Sequence, residues 1–256
     1  MNPTLNAYAL PSLVEPEDLA GGTVVLIDVL RASTTIVHAL EAGATEVIPC
    51  LEVEDARAAA AELPEGSVVL GGERAGLPID GFDLGNSPAD YTPERVGGRV
   101  VVFTTSNGTR AMWRCRLADR VLIGAFPNAS AVCRRLVGVE QIHLLCAGSR
   151  GEYSRDDTLL AGLLIERVLQ QSGTAYQLNA QALTARENWR SAFALPLALG
   201  AEPLAPERLA EQLRKSVAAR RLAEIGMDDD VLTAAHVDRF ASVPELDPGT
   251  FCIRLP

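Results

Sequence analysis

Residues 24–42 read VVLIDVLRASTTIVHALEA. The run Val24–Asp28 is apolar without interruption until it closes on an acid, the pattern of a strand buried on both faces. A helix is expected from about Ala32 to Ala42, with Gly43 to stop it. Between strand and helix stand an acid, a guanidinium and three hydroxyls: Asp28, Arg31 and Ser33, Thr34, Thr35.

The same alternation repeats outward from this unit. Strands are expected at Thr45–Leu51, Val68–Leu70, Arg99–Thr104, Arg120–Ile123 and Gln141–Cys146. Helices are expected at Val53–Leu63, from near Asn107, at Asn128–Val137 and at Asp157–Gln170. This βαβ order specifies an α/β fold of three layers, with a largely parallel or mixed sheet covered on both faces. After Gly173 the pattern turns helical, at Ala180–Ala192, Glu207–Leu213 and Val217–Ile225, and Thr250–Leu255 reads as a closing strand. Leu195–Pro206 is the best linker candidate, but it is too apolar for a free tether. The expectation is one domain over residues 1–256, its helical part from about residue 174 packed on the sheet.

Composition narrows the function. Against 33 acidic side chains stand 23 basic ones, a formal charge of −10, and only Lys215 among the bases is a lysine. The mean field repels phosphate backbones, which argues against nucleic acid as a partner. A Walker-type phosphate loop needs a lysine after its glycines, and none precedes residue 215. The five cysteines are odd in number and form no CxxC pair, which disfavours a disulfide framework or a cysteine zinc site and suits a cytoplasmic location. Met1–Ala20 carries three acids and no base, unlike a signal peptide, and no apolar run is long enough for a membrane span. Oligomeric state, monomer or homodimer, is not fixed by the residues.

Ligands of open α/β sheets sit beyond the carboxyl ends of the strands. Those ends carry Asp28–Thr35, Gly71–Pro88, Thr104–Arg110 and Ala147–Gly151, with Asp156-Asp157 opening the next helix. Each piece alone has a structural account: helix caps, an ordinary turn, acids complementing a helix dipole, a surface ion pair. Together they put acids, hydroxyls, arginines and glycines on one rim. The connection 71–88 reads as long and structureless, and its glycines permit close approach of backbone to ligand. The chemistry fits an anion plus a divalent metal. Arg31, Arg74 and Arg110 offer forked donors, and the helix starts near Ser33 and Asn107 offer unpaired backbone N–H groups. Asp28, Glu73, Asp83, Asp156 and Asp157 offer hard oxygen ligands for Mg²⁺. His38, His143 and His236 are widely spread and read as structural.

The blocks Asp28–Thr35 (DVLRASTT), Gly71–Pro88 (GGERAGLPIDGFDLGNSP), Thr104–Ala111 (TTSNGTRA) and Cys146–Gly162 (CAGSRGEYSRDDTLLAG) resemble, in order, those of the 2-phosphosulfolactate phosphatase family. The resemblance implies an α/β/α fold of the family's own. It also implies Mg²⁺-dependent hydrolysis of 2-phospho-3-sulfolactate to 3-sulfolactate and phosphate, a step of coenzyme M biosynthesis. On that reading Asp28, Arg31, Glu73 and Arg74 serve catalysis. Substrate contacts fall to Ser33, Thr34, Asn86, Ser87, Thr105, Ser106, Asn107, Gly108, Thr109, Arg110 and Gly148. The chain departs from the family pattern at Asp156, where Glu is usual, and at Ser106, where Thr is common. A third departure is Ser216–Arg220, which reads SVAAR where the family reads Ser-x-His-Gly-Arg. Alternatives are an aspartyl-phosphate route through Asp28, a phosphatase of another small phosphorylated hydroxy acid, and a non-catalytic small-anion binder.

Overall fold

The computed structural model describes residues 2–198 and 205–256. Residues 199–204, in the expected linker Leu195–Pro206, lie outside them. In chain order the elements begin with β1 (Thr4–Tyr8), β2 (Thr23–Ile27), α1 (Ala32–Glu41), β3 (Glu46–Pro49), α2 (Val53–Ala61), β4 (Val68–Arg74) and β5 (Leu77–Pro78). There follow α3 (Pro93–Val96), β6 (Val100–Thr104), α4 (Gly108–Arg114), β7 (Arg120–Gly124), α5 (Ala129–Leu136), β8 (Gln141–Cys146) and α6 (Arg155–Ser172). The chain closes with β9 (Gln177–Leu178), α7 (Ala180–Ala198), α8 (Pro206–Leu213), α9 (Val217–Glu224), α10 (Asp229–Ala234), β10 (Glu245–Asp247) and β11 (Cys252–Arg254).

The strands form a mixed, largely parallel sheet in the order β5-β4-β6-β3-β11-β10-β7-β2-β8-β1-β9. Two parallel groups, β4-β6-β3 and β7-β2-β8-β1-β9, are joined by the antiparallel hairpin β10–β11. The hairpin is therefore the seam of the sheet, and the expected closing strand supplies only half of it. Helices cover both faces, as a three-layer α/β fold requires. One buried cluster joins Val25, Ile27 and Leu144 to α5, α6, α7 and residues of α8–α10. A second joins Val24, Leu26, Val101 and Phe103 to α1 and α4.

Curvature sets the site. β6 and β2 are five strand spacings apart in this order, about 24 Å on a flat sheet. Yet a Cβ at Gly108, just past β6, would lie 2.8 Å from Asp28 Oδ2, just past β2. The sheet bends around α1, whose residues Ala32 to Leu40 are all buried. Enclosure of that helix explains its hydroxyls. Ser33 donates to the Leu26 carbonyl, Thr34 to that of Val29 and Thr35 to that of Asn86, so no buried hydroxyl is left unpaired.

Two local expectations change. The 71–88 connection is not structureless: β4 runs on to Arg74 and turns back as the β4–β5 hairpin. The strands β1, β9 and β10 and the helix α10 were not expected from the sequence. No described helix is long and apolar enough to cross a membrane.

Candidate active site

A cleft opens beyond the carboxyl ends of β2, β4, β6 and β8 and is walled on one side by α9. Asp28 and Glu73 line it, both buried. Gly72 places Glu73: its φ is +138°, and a Cβ there would stand 2.0 Å from the Thr104 carbonyl oxygen. Only glycine lets β4 pass β6 this closely. Glu73 is then clamped by backbone donors, Gly76 N–H to Oε2 at 2.6 Å and Ser106 N–H to Oε1 at 2.7 Å.

Asp28 is less well satisfied. Its carboxylate accepts only a long bond, 3.4 Å, from the Ala32 N–H. Burial first, then the charges of Asp156 and Glu73, push its pKa up to about 7. Behind it Asp157 accepts from Val29 N–H at 2.8 Å and Gly148 N–H at 3.0 Å, tying the ends of β2 and β8 together. Asp156 accepts from the Ser154 hydroxyl at 2.5 Å. Burial raises the pKa of both, and for Asp157 the charges of Asp156 and Asp28 add to it. Buried carboxylates crowded at one point raise one another's proton affinity.

The donor chemistry fits Mg²⁺, with fewer ligands than the sequence offered. Asp28, Glu73 and the amide of Asn86 face the same cleft, and Asn86 Oδ1 is buried without a partner. Mg²⁺ commonly takes one or two carboxylates and completes its shell with water and phosphate oxygens. Among the described residues no three His, Cys, Asp or Glu side chains are grouped to hold a metal by themselves. Asp83 is removed from the set: it is exposed and caps the Leu70 N–H at 2.8 Å. Asp156 and Asp157 do not line the cleft, whereas Asp28 and Glu73 do.

The structure sorts the other expected residues. Asn86, Thr105, Ser106, Asn107 and Arg31 line the cleft. Arg31 is already engaged, however, bonding Asp230 at 2.8 Å and the Gly76 carbonyl at 2.7 Å. Arg74 and Arg110 face an adjoining cavity on the far side of the 105–107 turn. There Arg74 donates to the carbonyls of Glu73 and Leu51 and to the Thr104 hydroxyl, while exposed Arg110 stands 3.7 Å from Glu52. Ser33, Thr34, Ser87, Thr109 and Gly148 do not line the cleft. Ser33 Oγ accepts the Asp28 N–H, Ser87 donates to Asp230 and Thr109 to the Thr105 carbonyl, bonds that hold the rim together. Gly108 is a close-approach residue, packed against Ala32 and Asp28. The three histidines lie outside both cavities.

Sequence reasoning did not single out Ser149, Arg150 and Arg221, nor the α9 face formed with Leu222 and Ile225. Ser149 and Arg150 stood in a quoted block without a role. On α9, attention fell on Ala218, which does line the cleft. The spacing 218, 221, 222, 225 was the available signal, since i, i+3, i+4 and i+7 share one helix face.

The 2-phosphosulpholactate phosphatase family model matches residues 8–249. The chain is 39% identical to a probable 2-phosphosulfolactate phosphatase of Symbiobacterium thermophilum, over 91% of this chain and 94% of that protein. It is 39% identical to a protein of the same name from Synechococcus, over 91% and 93%. A third so named, from Caldanaerobacter subterraneus, is 35% identical over 96% of both chains. These matches run through every strand end that builds the cleft, and the chain belongs to the 2-phosphosulfolactate phosphatase family.

Proposed function

We propose that this chain hydrolyses 2-phospho-3-sulfolactate to 3-sulfolactate and inorganic phosphate, with Mg²⁺ as cofactor, in the cytoplasm. The step belongs to coenzyme M-type biosynthesis. The carrying observation is Asp28: a cleft-lining carboxylate whose pKa is pushed up to about 7, beside a second cleft carboxylate held by backbone donors. Family membership supports the substrate, and the five free thiols suit a reducing compartment.

Asp28, Glu73 and Asn86 would hold the ion. When bound, Mg²⁺ offsets phosphoryl charge and orients water. The remaining work falls to the protein. The second carboxylate oxygen of Asp28 takes a proton from the attacking water as the water oxygen bonds to phosphorus. The phosphorus–oxygen bond to the sulfolactate carbon skeleton breaks, and Asp28 returns the proton to the departing oxygen. Glu73 keeps the Ser106 and Gly76 amides fixed, and with them the 105–107 turn that faces the phosphoryl group. Leu30 stands where aspartyl-phosphate-forming phosphatases of the DxD type carry a second acid, which supports direct attack by water over an aspartyl phosphate.

The test is phosphate release from 2-phosphosulfolactate by purified protein with Mg²⁺. Steady turnover is expected, reduced at least about 10²-fold in Asp28→Asn, the lower range for a lost general base. No release above the Asp28→Asn control between pH 6 and 9 would overturn the proposal.

A further inference from the structure

We infer that Arg221, presented by α9 and steadied by Ser149, binds one of the two acid groups that the substrate carries besides its phosphoryl group. On the substrate reading above, on which this assignment rests, those groups are a carboxylate and a sulfonate, and Arg221 takes the sulfonate. Every other wall of the cleft is built from segments that follow strands, while α9 contributes Ala218, Arg221, Leu222 and Ile225 from the C-terminal helices.

Three arginines line the cleft, Arg31, Arg150 and Arg221, and of the two with no acidic partner among the described residues Arg221 is half-buried while Arg150 is exposed. Arg31 is buried and spent on Asp230 at 2.8 Å. Arg221 has no acidic partner among the described residues, and its one bond from Nη1 goes to the neutral hydroxyl of Ser149, at 3.2 Å. A half-buried guanidinium in a cleft with two carboxylates, yet paired to neither, keeps forked donors for an incoming anion. Ala218 lies one turn before it on the same face, and its methyl leaves the guanidinium open to the cleft. Leu222 and Ile225 flank it with apolar surface, suited to the methylene that carries a sulfonate. Arg220 is the natural control: exposed, it turns back to the Lys215 carbonyl.

The experiment compares kcat/KM for 2-phosphosulfolactate with kcat/KM for 2-phospholactate, which lacks the sulfonate. Wild type, Arg221→Ala, Arg221→Gln, Arg221→Lys and Arg220→Ala are used, and 3-sulfolactate affinity is measured by calorimetry. Arg221→Ala and Arg221→Gln are expected to lower the ratio of the two kcat/KM values about 10- to 150-fold, the range of a lost charge-assisted bond, chiefly through KM. They weaken 3-sulfolactate by a similar factor. Arg221→Lys recovers part of the loss, and Arg220→Ala changes neither quantity. Ratios and affinities within twofold of wild type in folded Arg221→Ala or Arg221→Gln protein overturn the assignment while leaving the phosphatase reading intact. A wild-type protein inert to 2-phosphosulfolactate, but preferring another acidic phosphate ester in an Arg221-dependent way, overturns the substrate reading and keeps the role of Arg221. A wild type inert to all such esters overturns both.

Discussion

Asp28 is buried where a charge is least welcome, and two neighbouring carboxylates press in the same direction. Its folded-state pKa, about 7, lies above the ordinary 3.8, so the folded protein binds this proton more tightly than the unfolded chain. The stability this group contributes is thus fully present below about pH 4 and is lost as the pH rises through about 7. In EDTA, wild type should lose up to about 4 kcal/mol relative to Asp28→Asn across that window, a ceiling set by the size of the shift. Urea unfolding at a series of pH values measures this, and parallel curves for the two proteins would contradict it. Mg²⁺ should raise the wild-type melting temperature at pH 8 and leave that of Asp28→Asn nearly unchanged, since the ion needs the charge that the variant lacks. Equal shifts in both would remove Asp28 from the metal set. At this scale the sequence conveyed the residue types but not their direction. The hydroxyls of Ser33 and Thr34 read as ligands because a hydroxyl after a strand suits both an anion and a buried backbone acceptor. Only the enclosure of α1 decides between the two.

Among the elements, the β4–β6 crossing and the α10 contact hold the rim in place. Gly72→Ala puts a methyl group against the Thr104 carbonyl oxygen in a left-handed backbone. A loss of about 3 kcal/mol or more is expected, with Glu73 displaced and activity falling alongside. A thermal midpoint unchanged from wild type would refute the close approach. The buried pair Arg31–Asp230 also receives the Ser87 hydroxyl, so Asp230→Ala strands a buried guanidinium at a cost of about 3–5 kcal/mol. A double-mutant cycle with Arg31→Ala checks the coupling, and additive losses would show the pair to be inert. The long βαβ strands were legible because their apolar runs are continuous. β1 was not: its inward positions include small Ala7, and polar Asn6 interrupts the run, so its pattern is weak. β10 and α10 are too short for periodicity to show. Asp83 illustrates the limit within the site. It sits in the most distinctive block of the chain, yet its carboxylate is spent on the backbone of β4.

Across the whole molecule, the sheet depends on its last residues. β10 and β11 hold the two parallel groups together, with Leu246 and Ile253 buried at the seam. Ile253→Ala is expected to cost about 2–5 kcal/mol, and removal of residues 245–256 to abolish cooperative unfolding. A truncated chain that still unfolds in one sharp transition would show that the groups cohere without the hairpin. Strand order and curvature lay beyond sequence reading, because no local pattern records which strands pair. Convergence of the strand ends, inferred from a single rim, is instead achieved by bending two groups toward each other. The same geometry bears on how a chain of net charge −10 can take an anionic substrate: the cleft has arginines along its walls, and its carboxylates are those that would hold the proposed Mg²⁺. The central claim is that water, activated by Asp28, attacks the phosphoryl group directly. Its most direct test is the stereochemical course at phosphorus, using a phosphosulfolactate analogue made chiral there with sulfur and oxygen isotopes. A single in-line displacement predicts inversion. Retention, or an acyl phosphate trapped on Asp28, would contradict it.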